Sequence, residues 1–401
     1  MEQKLTSHIH CPVCGSECVE EYLKTNLTTF FFPLPEDLIY KSKKEPFKLD
    51  ICQKCSFVFQ VDVNMNLITL IYRDFYKHYN LDTSIEFQEV YRGRTIEFLK
   101  QVLKQGDNLN ALDLGCGEGT YFPFFKSLNY NCYGIEPSEK AVIARQKNPE
   151  ANILNKYFET LDANEFNIKF DVILMNWVLE HISDIDPFFE KLDLYLKKGT
   201  KLIIQVPDIK YYIDNQLPLF YVHEHINYFT KETLTILLER KGFKITGSKS
   251  GTSPALLICG EYTGIPKRNN INNSELFNLQ KQFLSENNDL KAKLSELISK
   301  YDKVVFYGMG LLAFWIGDNC LKKDDLKKVE LVDDNIYYKG KFAPMFNKKL
   351  HVFPDGQNLD DTLILICTSP VYHEKIKKAI NQKYSGNFKI ASIKENVLII
   401  E

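Results

Sequence analysis

The segment Tyr221-Val-His-Glu-His-Ile-Asn-Tyr-Phe229 sets two imidazoles around one carboxylate. His223, Glu224 and His225 could supply a general base and a group that holds its tautomer. The same side chains could instead cap the following helix and bond to backbone. A zinc-protease pattern is excluded, because H-E-x-x-H would need histidine at position 227, which is Asn. A second group of residues points to a bound ligand: Asp113, Gly115, Gly117 and Gly119 lie within Ala111-Leu-Asp-Leu-Gly-Cys-Gly-Glu-Gly119. Glycines in such a turn let the backbone approach a nucleotide-type ligand closely. The carboxylate of Asp113 suits a cationic ligand better than a pyrophosphate. Thr120 stands where a dinucleotide turn, G-x-G-x-x-G, would place its third glycine. Glu136, at the end of the apolar run 131–135, is positioned to accept hydrogen bonds from both hydroxyls of a ribose. A third set is Cys11-Pro-Val-Cys14 with Cys52-Gln-Lys-Cys55. Two C-x-x-C pairs are the expected ligands of a tetrahedral structural zinc, and a shell closed by four thiolates leaves no position for catalysis.

These side chains need a scaffold that gathers strand ends. The run 109–114 reads as a buried strand entering the glycine turn, with a helix over 121–128 behind it. A strand at 131–135, a helix at 138–146, a short strand at 152–154 and a strand at 170–175 follow. Next come a helix at 186–196, a strand at 201–206 and a helix at 230–241, closed by the runs 244–248 and 255–260 as an antiparallel edge hairpin. Alternating strands and helices predict a doubly wound, mostly parallel α/β sheet whose ligand crevice lies beyond the carboxyl ends of the strands. The His223–His225 segment comes after the strand 201–206, so it should line that crevice.

The asparagine-rich stretch 266–273 reads as a linker. Over 274–300, Leu276, Phe283, Leu290 and Leu297 recur every seventh residue, with Leu279 and Leu294 widening the stripe. The heptads are too few for a coiled coil, so the expectation is a helix packed on a neighbouring domain. Lys303-Val-Val-Phe-Tyr-Gly-Met-Gly310, Glu330-Leu-Val-Asp-Asp334 and the run 362–366 suggest a small Rossmann-like domain with an incomplete glycine turn. The expected division is a zinc-binding domain at 1–80, the doubly wound core at 81–265, a linker and helix at 266–300, and the Rossmann-like domain at 301–401.

Composition narrows the class. The chain has 401 residues, room for two or three domains, and a formal net charge of −2. No basic run suggests a nucleic-acid partner, no apolar stretch approaches the roughly 20 residues of a membrane span, and the N-terminus has no signal-peptide core. A cytoplasmic protein is expected. Five of the ten cysteines fall within the first 55 residues, which favours a metal over a disulfide framework.

The glycine turn with Asp113 and Glu136 resembles the class I S-adenosylmethionine-dependent methyltransferase pattern. That resemblance implies Asp113, Gly115 and Gly117 around the methionine end of the cofactor, Glu136 on its ribose, and Asn176 and Trp177 beside the sulfonium. Tyr157 and Phe158 are candidates for the adenine wall. The four cysteines, this core, His223-Glu-His-Ile-Asn-Tyr-Phe229 and the C-terminal Rossmann-like part, in that order, resemble the sugar C-methyltransferase family over essentially the whole chain. The resemblance implies methyl transfer to carbon 3 of a nucleotide-linked keto-deoxysugar through an enolate. His225 would be the base, Glu224 and His181 supporting groups, and Tyr76 a substrate-side tyrosine, with Tyr79 as its substitute. The cofactors implied are S-adenosylmethionine and a structural Zn2+. Two positions depart from the family: Val222 stands where a tyrosine is usual, and Cys367-Thr-Ser-Pro370 where a Trp-Asn pair is usual. O- or N-methylation of a related sugar, and non-catalytic binding of cofactor and nucleotide sugar, are the alternatives.

Overall fold

The structure, a computed structural model, describes residues 5–6, 10–75, 85–162, 165–218, 221–267, 273–335 and 338–401. The long insertion between the two cysteine pairs is a hairpin. Strands β1 (Val19–Thr28) and β2 (Lys44–Cys52) pair antiparallel, and β3 (Val58–Gln60) adds to the other edge of β2. Phe47, Leu49 and Ile51 are buried in one cluster with Phe283, Leu290 and Phe306, and Phe57 and Phe59 in another with Leu112 and Phe229, so this sheet shares its core with the rest of the chain.

The central part begins with helix α1 (Ile85–Val102) and strand β4 (Leu109–Leu114), followed by α2 (Phe122–Ser127) and β5 (Tyr130–Ile135). Then come α3 (Lys140–Lys147), β6 (Asn152–Leu154), β7 (Val172–Asn176), α4 (Ile185–Leu192) and β8 (Lys201–Pro207). After α5 (Ile209–Asp214) a two-residue strand, β9 (Asn227–Tyr228), precedes α6 (Lys231–Arg240), β10 (Phe243–Lys249) and β11 (Ala255–Tyr262). Seven strands form one sheet in the order β10-β11-β8-β7-β4-β5-β6. All its pairings are parallel except those of β11, which runs antiparallel to both neighbours. The closing hairpin lies at the edge as expected, with β10 outermost and β11 joining it to β8. The middle strands are buried on both faces, which is why they read as apolar runs without alternation.

Beyond the central sheet, α7 (Ser274–Ser299) buries Leu276, Phe283, Leu290, Leu294 and Leu297 against the rest of the chain. Two amides share that face. The Gln280 side-chain amide donates to the Ser56 carbonyl at 3.0 Å, and the Gln280 backbone carbonyl accepts from the Tyr22 hydroxyl at 3.2 Å. These bonds tie the helix to the N-terminal sheet. Strands β12 (Lys303–Tyr307), β13 (Val329–Val332), β14 (Thr362–Ile366), β15 (Lys389–Lys394) and β16 (Val397–Ile400) form a second sheet in the order β13-β12-β14-β15-β16, with helices α8 (Leu311–Cys320) and α9 (His373–Lys383). The first four are parallel and β16 folds back antiparallel. Among the described residues no helix is long and apolar enough to cross a membrane.

Strand β9 pairs with β3 and not with the central sheet, setting Asn227 opposite Phe59 and Tyr228 opposite Val58. The Asn227 amide donates to the carbonyls of Leu179 at 3.1 Å and Ile182 at 2.7 Å, fixing the turn that follows β7. Removing this amide leaves the Leu179 carbonyl with only the long 3.4 Å bond from the Ile182 N–H and takes the 2.7 Å donor from the Ile182 carbonyl, at about 2 kcal/mol in total. Asn227→Ala should therefore lower the unfolding free energy by that amount, read from equilibrium unfolding as a fall in the urea midpoint with an unchanged m-value.

Candidate active site

The turn after β7 and the segment before β9 lie against each other and build the first half of the site. The Ile226 N–H donates to the Glu180 carbonyl at 2.7 Å, and the Gln60 N–H donates to the Ile226 carbonyl at 2.7 Å. Nδ1 of His181 donates to the Glu224 carbonyl at 2.8 Å. A carbonyl only accepts, so this contact assigns the tautomer: the proton is on Nδ1 and the lone pair on Nε2. The His181 and His225 rings are 5.0 Å apart, and Tyr72 meets the His181 ring edge to face at 6.0 Å. Burial pushes His181 down to about 4 and His225 well below its usual value, so both imidazoles are neutral at pH 7. The same loss of solvent raises the Glu224 carboxyl to about 7 and that of Glu180 to about 8.

The second half is the glycine turn at the end of β4. The N–H groups of Gly115 and Cys116 both donate to the Ile135 carbonyl, at 2.8 and 3.0 Å. Gly115 has φ +79°, and a Cβ there would lie 2.6 Å from the Val178 side chain. The turn is thus pressed onto the residue between Trp177 and Leu179, which places it next to the histidine cluster. Gly117 also has positive φ, +52°, yet a Cβ there would meet nothing within 4 Å, so its backbone faces open space. Glu136 accepts from the Gly117 N–H at 3.0 Å and the Ser138 N–H at 2.9 Å. A carboxylate has about four lone-pair directions, so Glu136 can brace the turn and still accept from a ligand. Asp113 is 1% exposed with Oδ2 unpartnered, and burial and the nearby Glu136 charge raise it to about 8. Asn176 Oδ1 is a second buried acceptor without a donor. Trp177 has φ +59°, a strained value for a bulky residue, held by its N–H on the Gln205 carbonyl at 2.9 Å. Its ring meets Tyr91 of α1 edge to face at 5.9 Å. Unpartnered acceptors around an open glycine fit a cationic, nucleoside-bearing ligand.

A third cluster stands apart. One sulfur from each of Cys11, Cys14, Cys52 and Cys55 lies within 4.8 Å of the others, with Cys11 and Cys55 at 3.5 Å and Cys14 and Cys52 at 3.6 Å. The two pairs form matching turns: the Gly15 N–H closes on the Cys11 carbonyl and the Ser56 N–H on that of Cys52, both at 2.8 Å. The residue after each pair has positive φ, +72° at Gly15 and +65° at Ser56. Four sulfurs converging from two such turns match the donor set of a tetrahedral metal.

The structure brings together His181, Glu224 and His225, and places Asn176 and Trp177 next to the turn carrying Asp113, Gly115 and Gly117. His223 is turned away, its Nε2 donating to the Leu27 carbonyl at 3.1 Å. Tyr221 packs on Phe47 and Tyr228 and its hydroxyl meets Tyr22, so it does not replace the tyrosine missing at Val222. Phe158 is buried among Phe188 and Tyr195, as core packing, while Tyr157 is exposed. Tyr76 and Tyr79 lie outside the described residues. The sequence reading missed Tyr72, four positions before Tyr76 in sequence, and Glu180, the residue before His181. It also missed Tyr91 and Thr95 of α1, the latter bonded to Gln205 at 2.5 Å.

The strand order, with one antiparallel strand beside β8, is that of the class I methyltransferase fold. Residues 87–247 match the family model of a methyltransferase domain. Residues 87–247 thus form an S-adenosylmethionine-dependent methyltransferase domain with the class I strand order. Among curated relatives, the ubiquinone biosynthesis O-methyltransferase of Nitrobacter winogradskyi is 25% identical over 151 residues, covering 34% of this chain and 58% of that protein. The one from Chelativorans sp. is 34% identical over 104 residues, covering 25% and 41%. The chain thus spans only part of the length of these relatives. Among solved structures, 1,6-didemethyltoxoflavin-N1-methyltransferase of Burkholderia thailandensis is 16% identical, covering 52% of this chain and 96% of that one, with a TM-score of 0.40.

Asp113 binds a proton more tightly folded than unfolded. Between its ordinary range near 4 and about 8, rising pH therefore costs the ligand-free protein stability. The melting temperature of the wild type should fall over that window relative to Asp113→Asn. The variant should also bind S-adenosylhomocysteine at least about tenfold more weakly, by calorimetry, through loss of a charged acceptor.

Proposed function

We propose that the protein transfers the methyl group of S-adenosylmethionine to carbon 3 of a nucleotide-linked keto-deoxysugar, with His225 as the base. The observation that carries this reading is the neutral His181–His225 pair, next to Glu224, pressed against the turn that suits the cofactor. When bound, the cofactor supplies an electrophilic methyl group. Asp113 and Glu136 hold its cationic and ribose ends, and Asn176 and Trp177 border the sulfur. His225 takes the proton from the carbon beside the ketone, since a neutral imidazole keeps a free lone pair. His181 acts through the backbone: its Nδ1–H on the Glu224 carbonyl fixes the loop that presents Glu224 and His225. Glu224 faces the acceptor as a hydrogen-bonding partner for its oxygens. Tyr76 is carried as a substrate-side group on the family resemblance alone. Cys11, Cys14, Cys52 and Cys55 hold a structural Zn2+, whose closed thiolate shell takes no part in the transfer.

A second reading is O-methylation, favoured by the names of the relatives that match the core. The same base would then remove a hydroxyl proton. Incubating a nucleotide-linked keto-deoxysugar in D2O separates the two. Carbon methylation requires washout of the hydrogen beside the ketone and a new C–CH3 signal in carbon NMR. An O–CH3 signal without washout supports the second reading. His225→Gln should lower kcat by about 10^2-fold to 10^4-fold while leaving S-adenosylhomocysteine affinity unchanged. If the wild type binds no S-adenosylmethionine, both readings fail.

Stripping zinc with a strong chelator should lower the melting temperature by about 10 °C or more, since metal binding is coupled to folding. Calorimetry before and after re-addition of Zn2+ checks it, with Cys52→Ser expected to gain nothing from the metal.

A further inference from the structure

The proton transfer outlined above leaves Glu180 unused. Its side chain is buried, and neither carboxylate oxygen meets a hydrogen-bond donor. A buried carboxylate without a partner is costly, so something else must satisfy it. It is aimed at the histidines: Oε1 lies 3.8 Å from Nε2 of His181, too far for a hydrogen bond. Because Nδ1 of His181 donates to a backbone carbonyl, the nitrogen facing Glu180 carries a lone pair. Metal-ligating histidines have this arrangement, with one nitrogen on the ion and the other N–H on a carbonyl. One ligand atom from each of Glu180, His181 and His225 lies within 4.8 Å of the others. The 3.8 Å between Glu180 Oε1 and His181 Nε2 is a separation that two bonds of about 2.0–2.2 Å to a common ion can span. Two imidazole nitrogens and one carboxylate oxygen favour borderline cations such as Zn2+ over Mg2+ or Ca2+.

We propose that Glu180, His181 and His225 form a second metal site, separate from the four thiolates, which binds a borderline divalent cation and switches the enzyme off. The ion takes the His225 lone pair, so the base is lost while metal is bound. Three protein ligands leave further coordination positions for water or an acceptor oxygen. The inhibitory part rests on His225 being the base; the binding site does not.

The test begins without any acceptor. Full-length protein with its thiolate site filled with zinc is freed of loosely held metal, then titrated with Zn2+ by calorimetry and with Co2+ by visible absorption. One further equivalent should bind, with Co2+ showing bands of nitrogen and oxygen coordination and no thiolate charge-transfer band. Glu180→Gln and, separately, His181→Gln should each weaken that binding by more than about 100-fold, beyond the effect of an outer-sphere change. Retained S-adenosylhomocysteine affinity shows that each variant is folded. In transfer assays the extra equivalent should lower kcat by at least about 100-fold, reversed by a chelator too weak to strip the thiolate site. Absence of a further equivalent in the wild type, or binding that survives both substitutions, overturns the site. Binding that leaves turnover unchanged overturns the switch. Absence of turnover with and without metal counts against the proposed reaction instead, and the titration alone then decides the site.

Discussion

The two-residue pairing of β9 with β3 is the constraint on which the candidate site depends. It holds the His223–His225 segment between parts of the chain far apart in sequence: the Gln60 N–H on one side, the Glu180 carbonyl on the other. Strand β3 follows the second cysteine pair directly, and that pair closes the end of β2. Any force that draws the four sulfurs together therefore sets the position of β3, then β9, then Glu224 and His225. The N-terminal sheet is remote from the glycine turn in sequence, yet it positions the residues proposed to act on the acceptor. The core supplies the cofactor half, and the segment between α5 and α6 is where the two halves meet.

Charge follows the same division. Asp113, Glu180 and Glu224 lose solvent and are all raised by burial, and no lysine or arginine is found bonded to them among the described residues. An interior with several unbalanced carboxyls selects for positive ligands. A sulfonium with an ammonium group would meet that demand at Asp113, and the proposed divalent cation would meet it at Glu180. The histidines pass the opposite way, losing the charged form, so the cleft holds bases that are free and acids that are not fully ionised.

Much of the core was legible because parallel strands buried on both faces leave continuous apolar runs, and because Asp113, the glycines and Glu136 fall at strand ends. The N-terminal hairpin was not legible. Its strands lie inside what reads as an insertion between cysteines, and Pro46 and several lysines interrupt the pattern. The hairpin β15–β16 also escaped, since only β12, β13 and β14 end in turns with obvious signals. His225 and His181 could be paired only through a family resemblance, because 43 positions separate His181 from the carbonyl it bonds. Glu180 was overlooked for a related reason: its burial follows from β9 packing on the turn, which no local pattern encodes.

The two glycine turns show why such motifs underdetermine function. Each is braced alike. The Gly308 N–H donates to the Val332 carbonyl at 2.8 Å and the Met309 N–H to Asp333 at 2.7 Å, as Gly115 uses Ile135 and Gly117 uses Glu136. What differs is the space beside them. The first glycines are alike, since a Cβ on Gly308 would lie 2.4 Å from the Thr368 methyl and one on Gly115 2.6 Å from Val178. But a Cβ on Gly310 would lie 3.4 Å from the Cys367 carbonyl oxygen, whereas one on Gly117 would meet nothing within 4 Å. Gly308 is demanded by packing and by its φ of +90°, so it needs no ligand to account for it. At Gly117 packing imposes no such demand, and the turn opens where Asp113 and Asn176 leave acceptors unpartnered. The same strand-turn-helix device thus serves as a joint in one sheet and as a cradle in the other.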